Sequence, residues 1–523
     1  MKKLVSILCA AALALSLAAC GAESHSGGGD AKAAVYSLEN ATIFTFSDSG
    51  ITAQDGSYTG YEIDGTTLTI DGAGAYVVTG ACADGSIQIK KGTTGVTLAL
   101  NGLALTSADT APILCGKSTE VVIVAADGST NSLTDAAENN DNSYPDNTEA
   151  ENAVIKCKDG AQVTLCGGGV LTINVNGKNG IKSGASTTEE GEASLTIREL
   201  TLTINAPVND AINAQQLLNV ESGTLTISAA DDAIHSDLVL NIGGDGTDGP
   251  TIAITECYEG IEAAELNVLS GNIDILSSGD CLNAANSDLS GYAFSMNISG
   301  GVITACSSSG DGFDSNGDLT ISGGTVAVWT ANTADNQPLD ADGAITVSGG
   351  TVLAAGGSAG MGMNLTAEQP CVTFGSTGGM GGGRPGDMDG GSASIAKDAA
   401  VTITGSDGSA VYSGTALCNA NFVFFSSPEL TADGSYTLTA GDTSLTATAQ
   451  TGSISSGGMG GPGNGGQRPG DRDGGQQAPD FSGGGQPPER PGSRRKGPAA
   501  SRPIRPKTAD RKQHRPGYRN ATV

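Results

Sequence analysis

Acidic and amide side chains recur at two positions of a short phrase that repeats along the middle of the chain. Asn179, Asp210, Asp232, Glu259, Asp280 and Asp311 each stand two residues before a large apolar residue. Lys182, Asn213, His235, Glu262, Asn283, Asp314 and Asp340 each stand one residue after it. If the phrase stacks, equivalent side chains fall in columns at the ~4.8 Å spacing of paired strands. Carboxylates in such a column repel and raise one another's pKa. Between Arg198 and Arg384 there is no Lys or Arg to neutralise them. A hard divalent cation is the physical remedy, since Ca2+ takes six to eight oxygens from Asp, Glu, Asn and backbone carbonyls. The candidate sets are Asp210, Asp232 and Glu259, with Asp231 beside them, and Asp280, Asp311, Asp314 and Asp340. The alternative is that Asp and Asn before Gly or Ala cap turns through their side chains and stack as ladders.

The elements that must hold these columns follow from the apolar residues. The copies are centred on Ile113, Ile155, Ile181, Ile212, Ile234, Ile261, Leu282, Phe313 and Leu339, and a small residue follows each anchor after two positions. Large and small apolar residues alternating at period two mark a strand with one buried face. A second phrase falls between the copies: GTLTI from Gly223, GNIDI from Gly271, GTVAV from Gly324 and GTVLA from Gly350. A period mostly between the low twenties and low thirties, with almost no helical pattern, predicts an all-β solenoid of stacked coils with parallel strands. A β-sandwich array is the competing fold, but its hairpins would not restart one phrase at a coil-like period. The solenoid is expected to begin near Ile51, with Val96–Leu105 in an early coil. Segments 131–151 and 356–398 read as insertions, and Val401–Ala449 as final coils or a β cap.

The chain ends differ from this body. Lys2 and Lys3 precede an apolar run from Leu4 to Leu17, and Leu17-Ala18-Ala19-Cys20-Gly21 has the form of a bacterial lipoprotein cleavage box. Residues 1–19 therefore read as a signal, with lipid on Cys20, residues 20–34 as a tether and 35–453 as the body. The expected location is outside the cytoplasm, held to a membrane by lipid alone. Residues 454–523 carry 13 Lys+Arg against 5 Asp+Glu in a Gly- and Pro-rich context and read as a disordered tail. The whole chain has 523 residues and a formal net charge of -30. That charge argues against nucleic acid, which requires clustered Lys and Arg. Nine cysteines remain beyond Cys20; the odd number rules out a complete disulfide framework, and none shows C-x-x-C spacing for zinc. Most read as small buried apolar residues. A monomer is expected.

NDAINA from Asn209, DDAIHS from Asp231, EGIEAA from Glu259 and GDGFDS from Gly310 resemble a family of secreted bacterial carbohydrate-binding β-helix proteins. The N-terminal stretch DSGITAQDGSYTGYEIDGTTLTI and the Gly/Met-rich GGMGGGRPGDMDGG are similar too, so the resemblance covers roughly Phe46 to Ala449. It implies a right-handed, single-stranded parallel β-helix related to pectate lyases, calcium on acidic turn residues, and binding of acidic plant polysaccharide such as polygalacturonate. The family's common phrase is D-D-G-I followed by a basic residue. Among the copies from Asn179 onward, Lys182 alone keeps the base. Calcium bridging then replaces direct ionic contact at the other rungs.

Lys182, His235, Glu262 and Trp329 are the candidate carbohydrate-binding residues. Strand parity places Val326 and Val328 inward and Trp329 outward, either free to stack on a sugar or packed beneath the 356–398 insertion. A calcium-dependent polysaccharide lyase is the alternative function. β-Elimination needs a base and a cation at the enolate. Only Lys156, Lys158, Lys178, Lys182 and Arg198, on early coils, or His235 could supply the base. A surface adhesin or stalk is a third reading. His25 and His514 lie in the tether and tail, so catalytic triads have no support. The Gly-rich runs lack the ending of a phosphate loop.

Overall fold

The computed structural model describes residues 36–54, 56–187, 193–244, 246–331, 336–357, 364–375 and 394–455. The signal, Cys20, the tether and the tail from residue 456 onward lie outside the described residues. Among those described the chain is all strand, with no helix, in one sheet of 34 strands and a separate sheet of four.

The apolar anchors form the first ladder. Ile113, Ile155, Ile181, Ile212, Ile234, Ile261, Leu282, Phe313 and Leu339 pair in sequence, each parallel and in register with the next. All are fully buried. A second ladder runs through Leu195, Leu218, Leu240, Leu266, Met296, Leu319 and Ile345. A third runs through Leu202, Leu225, Ile252, Ile273, Ile303, Val326 and Val352. Each turn of chain thus contributes short strands to three ladders, as in Ile212–Ala214, Leu217–Val220 and Thr224–Ala229. In Thr224–Ala229 the Leu and Ile point in and the Thr point out, the alternation that a half-buried strand needs. Inward residues from Phe44 to Ile454 make one continuous core. Full burial of one such Ile or Leu contributes about 1.5–3 kcal/mol, and a single turn has no partner for it without its neighbours. Glycine is required where the turns close. Gly223 has φ +102°, and a Cβ there would lie 2.5 Å from the Leu200 carbonyl oxygen.

Three expectations are corrected, and of the two environments open to Trp329 the packed one is found. The stack starts before Ile51: Thr42–Ser47 pairs parallel with Gly74–Cys82, and Gly50–Gln54 folds back on it as a hairpin. Thr130–Asp135 is no insertion but a third-ladder strand, with Leu133 opposite Leu105 and Ile173. Its polar composition hid one inward leucine. Only the stretch after Asp135 loops out, tied down by buried Asn139, which donates to Asp135 and the Ala153 carbonyl. Within 356–398, Asn364–Gly375 is a strand that pairs parallel with Ile345–Val347 and antiparallel with Phe422–Ser426. Finally, Trp329 is 1% exposed. It does point away from Val326 and Val328. Its outer face, however, joins a second buried core that includes Val372, Phe374, Ile403, Phe425 and Leu438. The cover includes a four-stranded antiparallel sheet within 400–448, a cap rather than further coils. Sugar stacking on Trp329 is therefore excluded.

Candidate functional site

The residue after each anchor faces outward, because its neighbours on either side face the core. The register therefore writes a single column: Leu114, Lys156, Lys182, Asn213, His235, Glu262, Asn283 and Asp314. The bridge between Phe313 and Leu339 brings Asp340 next to Asp314. The column is cationic at one end and anionic at the other.

At the anionic end, carboxylate oxygens of Asp311, Asp314 and Asp340 lie within 4.8 Å of one another. Burial, then the charges of Asp280 and Asp340, pushes Asp311 up to about 7 and Asp314 to about 6. Hydrogen bonds hold part of this set in place. Asp280 Oδ1 accepts from the Asp311 amide at 2.6 Å, and Asp311 Oδ1 accepts from the Gln337 amide. The second set from sequence is thus brought together, except that Asp280 acts from the turn beside it. Burial raises the Asp280 carboxyl as well.

A second convergence joins Asp232, His235 and Glu262 within 4.8 Å. His235 Nε2 lies 3.0 Å from Asp237 Oδ1. Its Nδ1 lies 3.1 Å from Asp232 Oδ2 and 3.5 Å from Glu262 Oε1, without hydrogen-bond geometry to either. Burial alone would lower the imidazole pKa; Asp232 and Asp237 outweigh it and raise it to about 10. Burial raises Asp232 to about 6, with His235 opposing, and burial with the neighbouring Glu259 raises Glu262. Asn283 is 8% exposed and donates to Glu259 Oε2 at 3.0 Å and Glu262 Oε2 at 3.3 Å.

The set Asp210, Asp232 and Glu259 is not assembled as the sequence suggested. Asp210 is buried and occupied: it accepts from Asn213 Nδ2 at 2.7 Å and from the Asp232 amide at 3.3 Å. It is a turn staple, the alternative role considered for this position. Asp231 is exposed and outside both clusters, its carboxyl raised by burial, Asp210 and Glu259. Asp237 was missed, although a residue two positions after His235 on a strand shares its face. The ladder of stacked amides does exist, but elsewhere: Asn219, Asn241, Asn267 and Asn297 bond in series at 2.9–3.1 Å on the second ladder's outer face. Neutral amides stack there without repulsion, whereas the carboxylates of the column cannot.

At the cationic end Lys156 and Lys182 are in-register neighbours. Burial, and then the nearest like charge, lowers both amines: Lys182 acts on Lys156, and Lys178 on Lys182. Neither makes an ion pair among the described residues, whereas Lys158 is taken by Glu151 at 2.6 Å.

Three carboxylates within reach of one point are a donor set for a hard cation. The His235 cluster adds an imidazole nitrogen to two carboxylates. The whole is a stacked all-β surface carrying a graded row of charged side chains. The chain belongs to the carbohydrate-binding domain-containing protein family, whose model matches residues 64–360 and so spans the entire column. It is also similar to a solved structure, the polysaccharide lyase-like protein from C. thermocellum in its gadolinium derivative. Identity is 22%, over 62% of this chain and 96% of that one, with a TM-score of 0.31. No curated protein matches the chain.

Proposed function

We propose that this chain is a cell-surface lipoprotein that binds acidic polysaccharide of the polygalacturonate type through calcium, without catalysis. The body is read as one right-handed parallel β-helix, a reading supported by the three parallel ladders. The observation that carries the function is the in-register column from Lys156 to Asp340, which ends in three convergent carboxylates. A uronate chain lying along it meets ammonium groups at one end. At the other end a calcium ion held by Asp311, Asp314 and Asp340 can share ligands with the sugar carboxylates, reversing a local charge that otherwise repels them. His235 and Glu262 lie between, on the same line. Carbohydrate as the ligand class accords with the family. The Cys20 motif supports a lipid anchor outside the cytoplasm.

The test is calorimetric titration of the chain with calcium, then with oligogalacturonate in its presence. Binding of the sugar only after calcium, abolished by Asp314→Asn with Asp340→Asn, is expected. Equal sugar binding in chelator rules the bridging out. One observation favours a lyase as a second reading: Lys156 and Lys182 have lowered amine pKa values on the same track, as an elimination base requires. Unsaturated uronide formed by the wild type and lost in Lys182→Ala would establish it.

A further inference from the structure

We propose that Cys306 and Cys418 are a site of oxidative cross-linking, a disulfide that fastens the C-terminal cap to the stacked rungs. Their sulfurs lie 2.6 Å apart, inside van der Waals contact. The two residues come from segments of different origin. Cys306 ends its side chain on the outer face of the third ladder, between Leu276 and Trp329 in register. Cys418 sits in the loop before Phe422–Ser426, beside the bridge from Ile395 to Ala420. Its thiol also approaches the Ser307 carbonyl at 3.6 Å.

The site is at a border. Trp329, one rung on, is fully covered by the cap, while Leu276, one rung back, is 54% exposed. The cap's edge therefore falls at Cys306, and each of the two cysteines keeps 9% exposure. The pair therefore lies at the margin of the cover rather than beneath its middle. Cys115 and Cys157 make the contrast. They are also neighbours in register, but both are fully enclosed in the main core, on rungs the ladder already holds.

The contact makes the exchange stepwise. The thiolate of one cysteine attacks the disulfide of an oxidised thiol–disulfide reagent, such as oxidised glutathione or a dithiol oxidoreductase, and expels one reduced thiol. The sulfur of the other, already in contact with it, then attacks the mixed disulfide and expels the second. Two electrons pass from the cysteine pair to the reagent, and the two protons end on the released thiols.

The experiment exposes the purified full chain to oxidised glutathione. Remaining thiols are then alkylated in denaturant and the peptides mapped by mass. The expected product is one linked pair of peptides, Cys306 with Cys418, lighter by two hydrogens, with Cys115 and Cys157 alkylated. Recovery of both Cys306 and Cys418 as alkylated thiols overturns the proposal, as does glutathione left on either cysteine with the other free. In Cys306→Ser the second step is blocked, so Cys418 should retain glutathione. Thermal unfolding gives an independent reading. Reductant should lower the melting temperature of the oxidised wild type by several degrees and leave Cys306→Ser with Cys418→Ser unmoved. An equal shift in both contradicts the cross-link.

Discussion

Calcium should raise the melting temperature of this protein by an amount that can be worked out in advance. Extracellular calcium modules bind with dissociation constants of about 10⁻⁴ to 10⁻³ M. At about 10 mM calcium, a site so occupied stabilises the fold by ~1.4–2.7 kcal/mol. Unfolding entropy is ~2.1 cal/mol/K per residue, and the stacked body between Thr42 and Ser455 is roughly 400 residues long. One site is then worth ~2–3 °C, and both acid clusters together ~4–6 °C. Asp314→Asn removes a carboxylate from the Asp311 cluster and should delete one site's share. In chelator the same substitution should be neutral or stabilising, because it relieves repulsion. The pH dependence has a definite sign. Asp311 and Asp314 are raised from 3.8 to about 7 and about 6, with burial the first cause. Their contribution to stability is present at low pH and is lost as pH rises through these values. His235, raised to about 10, contributes at constant strength below 6.5, so the window from about pH 4 to 6.5 isolates the acids. The melting temperature in chelator should fall across that window, and calcium should flatten or reverse the fall. Scanning calorimetry in chelator and in calcium at several pH values measures this. Identical curves in the two media, or a calcium shift intact in Asp314→Asn, would rule out calcium at the Asp311 cluster.

Trp329→Ala should cost about 3–5 kcal/mol by emptying the cap interface, with polygalacturonate affinity unchanged; denaturant unfolding and a binding titration read the two effects separately. Lys156→Ala with Lys182→Ala should weaken uronate binding and reduce its salt dependence while leaving calcium affinity intact, as titrations at two salt concentrations would show. Ile234→Ala, at a fully buried anchor, should lose about 2–5 kcal/mol in chemical denaturation.

Much of the architecture is legible in the sequence because one apolar column repeats. Every anchor from Ile113 to Leu339 pairs with the next, so spacing alone aligns the residue that follows each. Thr130–Asp135 and Asn364–Gly375 are obscured because polar or mixed composition masks the inward residues of each strand. Trp329 shows the limit of parity. Alternation tells which face a side chain takes, but not whether another part of the chain covers that face. Here the cover comes largely from residues about 70 to 110 positions downstream, a long-range packing event with no local signature. The acid clusters are only half legible for a related reason. Asp210 and Asp314 flank anchors of the same column, yet Asp210 is spent on the Asn213 amide and the Asp232 backbone, whereas Asp314 points to Asp340. Such partners depend on turn geometry that residue spacing does not carry.

Affinity electrophoresis of the full chain through gels containing polygalacturonate, with calcium and with chelator, tests calcium-bridged binding directly. The ultraviolet absorbance of unsaturated uronide should be followed in the same mixtures. Retardation in calcium alone, with no rise in absorbance, is expected. Migration unchanged by the polymer in calcium, or retardation that persists in chelator, would contradict it.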